Sequence, residues 1–114
     1  VKSGTAHTAY LNGVSDITAT GAAPTTTRLD VMNDQWVEPL NGRMCAVKIY
    51  DAALTQDEIK NEMRSYRPKR TANLYGWWPM LSAGDGAVDY SGNGRDWTVG
   101  GTLTTEDGPS VSWK

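Results

Sequence analysis

The 114-residue sequence predicts an all-β fold with a single short helix, on three observations. Met44–Tyr50 alternates: Cys45, Val47 and Ile49 take one face, and Met44, Ala46, Lys48 and Tyr50 the other, as side chains do along a strand. Asn12-Gly13 lies between two more alternating runs, Thr5–Leu11 and Val14–Thr20, and this dipeptide is the strongest short hairpin signal. Helical periodicity stands out in one stretch. There Thr55 and Glu58 form a capping box, and Ile59, Met63 and Tyr66 recur at i, i+4 and i+7 until Pro68 stops them. A helix is therefore expected over 56–66, laying one stripe back on a sheet.

Taken in order, Val1–Ala6 has no fixed character before the hairpin strands begin. Gly21–Thr27 is small and polar around Pro24, and so a loop. Arg28–Met32 alternates again and reads as a strand. Asn33–Gly42 is a long loop carrying Trp36, Pro39 and an Asn41-Gly42 turn. After the strand and helix, Arg67–Asn73 reads as a solvated linker, its basic run of Arg67, Lys69 and Arg70 being short and broken by Pro68. Leu74–Met80 is an aromatic strand, Asp89–Asp96 a Gly-rich turn, and Trp97–Val99 a short strand. Gly100-Gly101 is a turn, and Leu103–Thr105 and Val111–Trp113 are extended edges. The organisation expected is residues 1–66, a linker at 67–73, and residues 74–114 packed on the same sandwich.

The apolar supply is unusual. Phe is absent, and eight Val, three Ile and seven Leu make 18 residues, about 16% of the chain. That would suggest disorder if the net charge were large, but it is −2. Five Trp and five Tyr supply the missing volume, since each buries roughly 150–250 Å². The expectation is a Trp-rich, aliphatic-poor core, or one completed in part by a neighbouring chain. A near-neutral charge leaves no footprint for nucleic acid or a membrane surface. No apolar run approaches a membrane span, and no signal peptide is read. The single Cys45 has no internal disulfide partner and reads as a small buried apolar residue.

The segment NGRMCAVKIYDAALTQDEI, with Ile49-Tyr50-Asp51, Ala53-Leu54 and Thr55 to Ile59, resembles the closing segment of laminin G-like domains of the concanavalin A-like lectin superfamily. Many members carry an acidic residue early in this strand, where this chain has Met44-Cys45-Ala46. The hairpin at Tyr10–Val14 is similar to one in the second half of those domains. LYGWWPM and DYSGNGRD resemble their opening strand and the turn after it, yet here they follow the closing segment. The resemblance covers Ala9–Glu62 and, separately, Leu74–Val99. It implies a jelly-roll sandwich, shortened or circularly permuted, of a kind also seen in proteins of tailed bacteriophages.

Enzyme chemistry lacks an inventory. His7 is the sole histidine, no strand carries a facing pair of carboxylates for glycoside hydrolysis, and no Cys/His set has zinc spacing. The candidate ion site is Asp89, Ser91 and Asn93, oxygen ligands at alternate positions before Gly94, as in the first half of a calcium loop. Asp85 and Asp96 are the candidate additional ligands. The position for a bidentate carboxylate falls at Gly100, so the full pattern is absent, and Ser-Gly-Asn-Gly is also what an ordinary tight turn requires. Ca²⁺ is the one candidate cofactor, and laminin G-like domains often bind it.

Adjacent Trp77 and Trp78 must take opposite faces of a strand, so one faces the core and the other, Trp78 as the candidate, either packs between sheets or turns outward to a glycan or partner. Trp36, beside Asn33, Asp34 and Gln35, pairs an aromatic platform with groups suited to sugar hydroxyls. Two functions are implied by these residues together with the resemblance to laminin G-like domains. The first is a non-enzymatic structural or adhesive module, a decoration or accessory protein of a phage particle, forming homo-oligomers or docking on another virion protein. The alternative is a carbohydrate-binding module using Ca²⁺. Both place the chain on a virion surface or outside the cell.

Overall fold

The structure is a computed structural model that describes residues 1–3, 5–21 and 42–105. In chain order it forms β1 (Lys2–Ser3), β2 (Ala6–Leu11), β3 (Val14–Thr20), β4 (Val47–Tyr50), α1 (Gln56–Glu62) and β5 (Leu74–Trp78). The strands make two small antiparallel sheets, β1-β2-β3 and β4-β5, so the protein is a small all-β fold with one short helix. The expected strand at Arg28–Met32, the loop residues 33–41 and the Val111–Trp113 edge lie outside the described residues.

The hairpin forms where the sequence places it. Asn12 (φ 51°) and Gly13 (φ 75°) both enter the left-handed region, which the tight turns favoured by twisted hairpins demand. Between Ala9 and Tyr10 the register shifts: Leu11 faces Val14 and Tyr10 faces Ser15, but Ala9 faces Ile17. Asp16 is thus an extra residue in β3. The turn's glycine is also an anchor. A Cβ on Gly13 would lie 2.8 Å from Lys60 Cγ and 3.0 Å from Met63 Sδ, so only Gly lets the hairpin tip seat on α1. Gln56 Nε2 donates to the Gly13 carbonyl at 3.0 Å across the same contact.

β4 is shorter than the alternation predicts. Ala46 turns to φ 53°, which takes the chain out of the ladder before Val47. β5 stops at Trp78, because Pro79 cannot donate to a ladder and Met80 has φ 56°. α1 begins as expected. The Thr55 side chain accepts from Glu58 N at 3.3 Å, and the Glu58 carboxylate accepts from Thr55 N at 2.8 Å. It ends four residues earlier than the stripe predicts, with Met63 as its C-cap.

Lys48 supplies the reason. Its ammonium donates to the Glu62 carbonyl at 2.9 Å, the Ser65 carbonyl at 2.6 Å and the Arg67 carbonyl at 3.2 Å. A cation collecting carbonyls at a helix C-terminus satisfies the acceptors the helix leaves open and complements its dipole. The mixed face of β4, with Lys48 and Tyr50, is therefore the one that meets α1. Its apolar face continues across the sheet through the Val47–Trp78 pair. The core sits in this second sheet: Trp77 and Trp78 are buried, and Pro79 beside them is fully enclosed.

Candidate functional site

The most connected polar group is Glu62. Its Oε2 pairs with Lys48 Nζ at 2.8 Å, both side chains less than a tenth exposed. Its Oε1 accepts the Lys69 N–H at 2.8 Å and the Arg70 N–H at 2.6 Å. Burial pushes this carboxyl's pKa up, but the hydrogen bonds from Lys48, Arg70 and Lys69 outweigh that and hold it below the ordinary range. Tyr50 donates to the Arg70 carbonyl at 3.1 Å, and burial, then the Glu62 carboxylate, push its phenol up. Arg70 itself pairs with Glu58 at 2.8 Å. The 67–73 segment, read from sequence as a solvated linker, is fastened to α1 and β4 by these bonds. A groove of about 410 Å³ runs beside the network between β4 and α1, lined in part by Cys45, Leu54, Ile59 and Met63.

The Gly-rich turn is a fastening of the same kind. Asp89 is buried, and its Oδ1 accepts the N–H of Trp77 at 3.0 Å and of Ser91 at 2.9 Å, while Oδ2 accepts that of Arg95 at 3.0 Å. Burial opposes ionisation here, yet these backbone donors bring the carboxyl down to about 2. Tyr90 N returns a bond to the Trp77 carbonyl at 2.7 Å. Asn93 Nδ2 donates to the Leu74 and Tyr75 carbonyls at 3.0 and 3.1 Å, and Arg95 Nη1 to the Tyr75 carbonyl at 2.8 Å. The turn thus satisfies the edge of β5 that β4 does not pair, with side chains standing in for a third strand. The Arg95 guanidinium also lies 4.0 Å over the Tyr75 ring.

The same bonds decide how the calcium ligands read from sequence are used. The Asp89 oxygens face three backbone N–H groups, Ser91 Oγ accepts from Asn93 N at 3.2 Å, and Asp96 Oδ1 accepts from Asp89 N at 2.9 Å. Asp85 is taken by Ser82 and by the Tyr90 hydroxyl at 2.7 Å. These oxygens thus serve the turn's own donors, which accounts for the Ser-Gly-Asn-Gly sequence as a turn without a cation. Among the described residues no group of three or more acidic, His or Cys side chains is placed to hold a metal ion.

Trp78 requires a correction. It is 1% exposed, not turned outward. Strand alternation does separate the two indoles, but each face has its own cover. Trp97 stacks on Trp78 at 4.3 Å between centroids and 21° between planes, and the Tyr90 ring meets Trp77 edge-on at 6.0 Å. Trp78 Nε1 donates to the Arg95 carbonyl at 3.1 Å. Trp97 lies outside the strands, its N–H going to the Ala87 carbonyl at 2.8 Å, and among the described residues Leu103–Thr105 pairs with no strand. The other proposed contact residues, Asn33, Asp34, Gln35 and Trp36, lie outside the described residues.

What periodicity alone did not reveal is an apolar face on the first sheet. Opposed residues share a face, and the shift at Asp16 brings Val14 onto the same side as Ile17. Leu11, Val14 and Ile17 therefore share one face with His7, Ala9 and Ala19, and the three are 63%, 58% and 63% exposed. Every residue of β3 is exposed. A strict two-residue alternation sets Val14 apart from Ile17, so the bulge is what conceals this row in the sequence. None of the described helices is long and apolar enough to cross a membrane.

No family model matches the chain, and no curated protein or solved structure matches it.

Proposed function

We propose that this chain is a non-enzymatic structural module that works by protein–protein docking, with a second copy of itself as the first partner. The observation that carries this reading is the row Leu11, Val14 and Ile17, large apolar side chains more than half exposed side by side on one sheet face. Such side chains scattered singly are ordinary, whereas gathered on one face they mark a surface that associates. The scarcity of aliphatic residues in the whole chain points the same way, because a neighbour would complete a thin core. The jelly-roll sandwich and the setting on a phage particle rest on the motif resemblance, and within that setting the role is that of a decoration or accessory protein.

Light scattering on a sizing column tests the reading. The unaltered chain is expected to run as a closed oligomer, unaffected by sugars or chelators, and Ile17→Glu is expected to run as a folded monomer. A compact monomer at all concentrations, with Ile17→Glu indistinguishable from it, would overturn self-docking and return the loops to consideration as a ligand surface.

A further inference from the structure

We draw no further inference here: the strongest candidate, the partly apolar groove between β4 and α1 beside Cys45, Ile59 and Met63, holds only a lone cysteine as its nucleophile, and nothing in the structure shows what covers it.

Discussion

The two sheets solve opposite problems with similar amounts of chain. The β4–β5 sheet is fastened from within: α1 is tied to one face through Lys48 and Glu62, Trp97 stacks on Trp78 at the other, and the Asp89–Arg95 turn takes the free edge of β5. The β1–β2–β3 sheet carries the longer strands and the better hairpin turn, yet all of β3 is exposed and its apolar row faces outward. Hydrogen bonding therefore does not distinguish them, since both ladders are made. What separates them is the cover that sequence-distant residues provide, and the polar groups that hold that cover in place.

The largest effect should come from breaking the buried ion pair. Lys48→Met leaves Glu62 charged in a site less than a tenth exposed and removes the donor from the last α1 carbonyl and from the two carbonyls just beyond it. Stranding one partner of a buried pair costs about 3–5 kcal/mol, so chemical denaturation should show a loss of that order. A loss under 1 kcal/mol would mean that water reaches the pair and that α1 is held by its apolar contacts instead.

Gly76→Ala attacks the same region through packing. A Cβ there would lie 2.2 Å from the Trp78 ring, so the indole must leave its place on Trp97. Overpacking of this kind costs about 3 kcal/mol, and near-ultraviolet circular dichroism should lose the signal of the stacked indoles. Gly21→Ala provides the contrast. Among the described residues no atom beyond its chain neighbours lies within 4 Å of the added methyl, and thermal melting should hardly change.

Sequence and structure agree where the signal is local and diverge where it is not. The capping box at Thr55 and Glu58 and the turn at Asn12-Gly13 are written in adjacent residues and form as read. The helix end was overrun because Tyr66 continues the stripe, whereas the residue that terminates α1 is Lys48, fourteen positions before Glu62. Ser-Gly-Asn-Gly was legible as a turn. That its aspartate would accept the N–H of Trp77, twelve residues earlier, was not, and this bond is what fastens the turn to the edge of β5. Likewise, two adjacent tryptophans imply two faces but say nothing of Trp97 and Tyr90, which cover them.

Asp89 makes the fastening titratable. Its carboxyl sits at about 2 in the folded protein against an ordinary 3.8, so the folded state favours the ionised form. The resulting stability is fully present above the ordinary value and is lost as the pH falls from there through about 2. The effect amounts to about 2 kcal/mol. Asp89→Asn should cost a similar amount at neutral pH, because one acceptor oxygen becomes an amide facing backbone donors. It should also flatten the decline in melting temperature below pH 4. An unchanged decline would assign the acid sensitivity to another carboxylate, with Glu62 the first alternative.

A small effect is also expected at the position that bears most on the first sheet. Ile17 is 63% exposed, so Ile17→Thr, which keeps a β-branched side chain, should change the stability of the monomer by less than about 0.5 kcal/mol. The measurement must be made at a concentration too low for association, since an oligomer would add its own stabilisation through mass action. With the fold's stability held that nearly constant, a rise in the concentration needed for assembly can be assigned to the face itself. Should the monomer lose more than 1.5 kcal/mol at every concentration, the isoleucine is covered by its own chain. The contrast between the two sheets would then lie in which residues do the covering, and no longer in whether one face is left open for a partner.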